Sequence, residues 1–248
     1  MNNQLKMIIV ILISFLFVIS CEEKVIEFEN LYSYKNDKNI SDSLGRPAND
    51  SISYFPIEYF IDSAHYYRKI TNNDTTILYR TFPAGLLSGC LHVMQEPILT
   101  NYYLNKDVIR FTLLRSFRPP IIIRLEKTKD SILIVEKKYM VYESKIINKD
   151  STFDAILDSV KVLESTRSID PLKWNIIEKM LIDSSITSLP SAIHEVGMDG
   201  TEWFLEIHTN KGYFLINRWS PSKEDFHGFR KICEYILDLS SFKDEKRY

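Results

Sequence analysis

The spacing of apolar residues divides this chain into stretches of different character. Met7 to Ile19 is a run in which only Ser14 is polar. From Glu29 to Ser53 the pattern is polar and aperiodic, as in NDKNISDSLGRPANDS. Apolar content this low gives no core of its own, so residues 21–53 are expected to be a flexible linker ahead of a single globular unit, residues 54–248. Helical spacing then predicts elements over Ile57 to Lys69 and Pro83 to Gln95, the second ending where Glu96 precedes Pro97.

Beyond Pro97 the period changes to two. Strands are predicted at Ile98 to Leu104, Val108 to Phe117, Ile121 to Glu126, Ile132 to Glu136 and Tyr139 to Ile147, separated by NKD, RPP, KTKD and KK. Ile156 to Leu163 could extend the series. Connections this short imply an antiparallel meander, because parallel crossovers need a dozen or more residues. Asp170 followed by Pro171 predicts a helix start, with Leu172, Ile176, Ile177, Met180 and Leu181 on the buried face. A hairpin follows, WFLEIHTNKGYFLINRW from Trp203 to Trp219. Placing Gly212 in a G1 bulge sets Thr209 opposite Tyr213, Ile207 opposite Leu215 and Trp203 opposite Trp219. Ser220 and Pro221 predict a last helix running to about Leu239. The fold class is α+β: an antiparallel sheet meander, helices packed on one face, and a C-terminal hairpin plus helix.

The first apolar run is shorter than the roughly 20 residues a bilayer-spanning helix needs, which suits a signal peptide over residues 1–20. Lys6 precedes it, and Val18, Ile19, Ser20 and Cys21 close it in a sequence that resembles a bacterial lipobox. The resemblance implies lipidation at Cys21, palmitate included, with the membrane as partner through that lipid. Glu22 and Glu23 followed by Lys24 resemble the acidic export tag of surface lipoproteins, which implies an outer-membrane, surface-exposed position in the cell envelope.

Charge is nearly balanced, with 31 Lys and Arg against 33 Asp and Glu and a formal net charge of -2. Without a basic block, nucleic acid is excluded as partner. Glycine is scarce at 7, and no G-x-G-x-x-G, G-K-S/T, H-E-x-x-H or G-x-S-x-G occurs, so no cofactor is expected. Cys90 and Cys233 are the candidate disulfide pair, although each sits on an apolar helical stripe where two separate buried thiols are the simpler arrangement. His65, His92, His194 and His227 lack metal-ligand spacing. Asp-Ser pairs in the polar stretch, at Ser43 and Ser51, resemble O-glycosylation acceptors of surface-lipoprotein-bearing bacteria and equally suit turn starts.

Two charge-bearing segments remain as candidates. In the predicted register Glu206, His208 and Arg218 share one face of the hairpin, a set that could act as acid, base and anion holder. Arg124 and Glu126 share a strand face near Arg110 or Arg115, and clustered arginines suit carboxylate or phosphate. Both sets are also what a half-exposed sheet face requires. The pattern D-G-x-x-W-x-L-E, from Asp199 to Glu206, with R-W-S-P from Arg218 to Pro221, resembles a set of uncharacterised bacterial proteins, and the resemblance implies one fold unit and no particular activity. The expected function is a lipid-anchored cell-envelope module that binds another envelope protein or polymer, or serves structurally, without catalysis. The alternative is a lipid-anchored hydrolase using Glu206 and His208, with Arg218 as anion holder.

Overall fold

The computed structural model describes residues 31–56, 70–72, 75–77, 82–140, 161–184, 186–191, 199–224 and 228–247. Cys21, the signal peptide, the helix expected over Ile57 to Lys69, and His65, His194 and His227 lie outside the described residues. The class is α+β, built on an open six-stranded antiparallel sheet. A short hairpin, β1 (Ile70–Asn72) and β2 (Thr75–Ile77), precedes helix α1 (Phe82–Val93). Then come β3 (Asp107–Arg115), β4 (Arg118–Lys127), β5 (Ile132–Met140) and β6 (Lys161–Ser168), helix α2 (Pro171–Ser184), the hairpin β7 (Thr201–Thr209) and β8 (Gly212–Trp219), and helix α3 (Phe229–Asp238). The sheet order is β6-β5-β4-β3-β7-β8. Strands β3 to β6 form the expected meander, and the last hairpin docks on the free edge of β3.

Period-two alternation sends odd and even positions of β3 to opposite faces. On one face Ile109, Phe111, Leu113, Ile123, Trp203, Leu205 and Phe214 pack against Trp174, Ile177 and Leu181 of α2 and Phe229, Ile232, Cys233 and Ile236 of α3. The stripe on α2 is therefore Trp174-Ile177-Leu181, and Leu172, expected inside, is 58% exposed. The other face is covered as well. Val108, Leu114, Ile122, Phe204 and Leu215 pack under Leu87, Leu91 and Met94 at the end of α1 and under Tyr54 and Phe55.

The expectation of a flexible linker is corrected for residues 31–53, which lie against this second face. Tyr32 exchanges backbone hydrogen bonds with Tyr213 at 2.8 and 3.0 Å, and the Ile98 N–H donates to the Gly45 carbonyl at 2.8 Å. Asn101, buried, donates to the Asp37 carbonyl and the Ser41 hydroxyl and accepts from the Asp37 N–H. Polar side chains hold this segment in place of a continuous apolar stripe, so it has no period to read. The strand expected over Ile98 to Leu104 is irregular, because both edges of β3 are already taken by β4 and β7. The strands expected at Ile132 to Glu136 and Tyr139 to Ile147 join, as far as Met140, into the single strand β5, since Lys137 continues the ladder.

The hairpin register is also corrected, by one residue. Thr209 pairs with Gly212, Ile207 with Phe214, Trp203 with Arg218 and Glu202 with Trp219. The loop is thus Asn210-Lys211, and a slip of one residue transfers every side chain of β8 to the other face. Gly212 has a positive φ, 148, and answers a second need as well: a Cβ there would lie 2.9 Å from the Tyr32 carbonyl, so glycine admits the backbone of residues 31–32.

Candidate functional site

The register places Arg124 on β4, Arg110 on β3 and Glu206 on β7 side by side across the second face. Arg110 is fully buried and forks onto Glu206, its Nε donating to Oε2 at 2.6 Å and Nη2 to Oε1 at 2.7 Å. Its Nη1 donates to the Pro97 carbonyl at 2.8 Å and to Glu96 at 3.3 Å. Tyr213, across β8, donates its hydroxyl to Glu206 at 2.9 Å.

Two arginines directly opposite one another would repel. Glu96 resolves this. Its carboxylate lies 3.3 Å from Arg110, 3.0 Å from Arg124 Nε and 3.2 Å from Lys137 Nζ. Burial alone would raise its pKa, but Arg124, Arg110 and Lys137 outweigh that and hold the carboxyl below the ordinary range. Its place is fixed by how α1 ends. The Glu96 N–H donates to the Leu91 carbonyl and the Gln95 N–H to His92, with Gln95 left-handed at φ 51, which is a Schellman closure followed by Pro97. Arg124 also donates to Glu126, whose other oxygen meets Lys106 at 2.8 Å.

His208 is a satisfied core histidine. Its Nδ1–H donates to the Leu99 carbonyl at 2.8 Å and its Nε2 accepts from the Leu104 N–H at 3.2 Å, which defines a neutral ring. Tyr103 stacks on it with centroids 5.5 Å apart, and burial pushes its pKa down to about 4.

The structure brings Arg124 and Glu126 together near Arg110, one of the two placements the sequence allowed. Glu206 and His208 share a face, as expected. Arg218 does not join them: it projects from the opposite face, where it donates to the carbonyls of Pro190, Ser191 and Asn217. The expected three-residue set is therefore not assembled, because it rested on the slipped register. Cys90 and Cys233 belong to packing on opposite faces of the sheet, and no disulfide joins them. Glu96, Lys106, Lys137 and Tyr54 were not singled out from sequence. Glu96 carried one signal, an acid wedged between a helix end and a proline.

Above this charge network is an open pocket of about 440 Å³. Glu96, Arg124, Lys106 and Tyr54 line its polar part, and Leu44, Pro47 and Pro97 its apolar part. Such an arrangement offers fixed hydrogen-bond donors and cationic charge to a ligand in a mount whose other polar groups are already engaged. Among the described residues no group of three or more His, Cys, Asp or Glu side chains is placed to hold a metal ion. No protein-family model matches the chain, and no curated protein matches it.

Proposed function

We propose that this protein is a lipid-anchored binding module of the cell envelope, tethered through Cys21, and that it binds its ligand in the pocket bounded by Leu44, Tyr54, Glu96, Lys106 and Arg124. The observation that carries the binding reading is the pairing of an open, cation-lined pocket with a platform braced by buried ion pairs. Preorganised donors of this kind reduce the ordering cost of binding. Catalysis by Glu206 and His208 is disfavoured by their engagement: Glu206 is held by Arg110 and Tyr213, and both nitrogens of His208 are engaged by the backbone. The anchoring half of the reading is supported by the sequence around Cys21, and two or more acyl chains would hold the protein firmly where one is marginal.

Labelled palmitate should enter the full chain and be absent from Cys21→Ala; equal label in both would refute the anchor. A panel of small anions titrated against the amide NMR spectrum should shift Leu44, Gln95 and Lys106 first. Shifts spread evenly over the surface would refute the pocket as the binding site.

A further inference from the structure

We propose that the pocket recognises a carboxylate carried on a small apolar group, with Arg124 and the Tyr54 hydroxyl as its hydrogen-bond donors. This rests on the binding reading above and assigns its ligand chemistry. The pointer is Tyr54. Its side chain is 1% exposed, it borders the pocket, and its hydroxyl has no hydrogen-bond partner. Buried polar atoms in native proteins are nearly always paired, so an orphaned, enclosed hydroxyl on a residue that borders an open pocket points to an acceptor brought by the ligand. Burial pushes the hydroxyl's pKa up to about 12, so it is a donor at neutral pH.

Arg124 supplies the second donor and the charge. Its Nη1 donates to Glu126, and its Nε faces Glu96 at 3.0 Å without hydrogen-bond geometry. Its Nη2 makes no hydrogen bond to the described residues. A guanidinium with one edge committed and one nitrogen open suits a planar acceptor.

Charge decides between a carboxylate and a phosphate. Every cation at the pocket already has an acid beside it: Lys106 has Glu126 at 2.8 Å, and Arg46 has Asp42 at 2.6 Å. Glu96 adds its own negative charge at the floor. A dianion would meet that carboxylate with little uncompensated positive charge to hold it, whereas a monoanion needs one charge-assisted contact and one hydroxyl donor. Leu44, 66% exposed beside Pro47 and Pro97, gives an apolar substituent somewhere to lie.

The test titrates the full chain with propionate, its neutral counterpart propionamide, and inorganic phosphate, read by amide shifts at Gln95 and Lys106. Propionate should bind and propionamide should not. Tyr54→Phe is the decisive variant, since its lost hydroxyl makes no bond in the unliganded protein. Its melting temperature should be unchanged or higher, and its propionate affinity lower by about tenfold, the worth of one hydrogen bond to a charged group. Unchanged propionate affinity in Tyr54→Phe, or equal binding of propionamide, would overturn the proposal. Phosphate binding in place of propionate would overturn the carboxylate and leave the pocket standing as a binding site; no shift with any probe would remove both. Acetyl-alanine added as a further arm separates two sources of the same chemistry: tighter binding than propionate indicates a peptide C-terminus, weaker binding a free acid.

Discussion

Arg110→Met tests the charge network at its centre. The substitution keeps the length and apolar stem of the side chain while deleting two hydrogen bonds to Glu206, one to Glu96 and one to the Pro97 carbonyl. Glu96 keeps Arg124 and Lys137, so its loss is partial. Among the described residues Glu206 keeps only the Tyr213 hydroxyl, at a fully buried site. Breaking a buried pair by removing one partner costs about 3 to 5 kcal/mol. The expected loss is therefore about 4 kcal/mol, tolerable within a typical stability of about 5 to 15 kcal/mol.

The same reasoning gives a signature that a simple cavity would lack. Adding Glu206→Gln to Arg110→Met should recover about 2 kcal/mol, because the neutral amide no longer leaves a buried charge without its partner. Urea unfolding followed by tryptophan fluorescence is the assay, because Trp174 and Trp203 are buried on the opposite face and report global unfolding. A loss below about 1 kcal/mol, or additive double-variant energies, would refute the view that this network is an electrostatic brace.

His208 makes stability fall with acid before the carboxylates do. Its folded pKa, about 4, lies below the unfolded value of about 6.5, so the unfolded chain takes the proton first. Stability should drop from about pH 6.5 downward by up to about 1.4 kcal/mol per unit, and a native imidazole resonance titrating near 6.5 would contradict this. A chain beginning at Ser53 loses the Tyr32 pairing and the partners of Asn101, and should unfold at a urea midpoint well below that of the full chain; equal midpoints would show residues 31–52 to be dispensable. Gln95→Gly relieves a left-handed residue and should stabilise by up to about 1 kcal/mol, whereas a loss would mean that the Gln95 side chain outweighs the backbone strain. Trp219 is half-buried and Arg218 is tied to three carbonyls, so Arg218→Ala should cost at least about 1 kcal/mol, checked by the same unfolding curves; a smaller cost would detach Arg218 from the fold.

What the sequence made legible follows from where its signals are local. Alternation in DVIRFTLLR and RPPIIIRLEK located β3 and β4 closely, and short connections gave the meander. The hairpin was found but its register was not, because NKG admits both a two-residue loop and a bulged one, and the deciding contact comes from Tyr32, far away in sequence. The face assignments of Arg218 and Trp219 depended on that register. The pairing of Arg110 with Arg124 could not be fixed either, since the RPP turn leaves the β3-β4 register open. Even a known register would have shown two opposed arginines and no reason for them. That reason is Glu96, delivered from outside the sheet by the closure of α1.

The packing of residues 31–56 also changes what a lipid at Cys21 would do. A flexible stretch running to Ser53 would let the domain range far from the bilayer. With Leu31 packed at the sheet and Tyr32 paired to Tyr213, only the chain between Cys21 and Leu31 can act as tether. Fully extended, that span reaches roughly 35 Å, at no more than about 3.6 Å per residue. The anchor proposed at Cys21 thus confines the domain to about its own diameter from the membrane surface. The N-terminal segment therefore links two roles. It supplies Leu44, Arg46 and Tyr54 to the pocket, and its attachment to β8 sets how far that pocket can stand from the lipid.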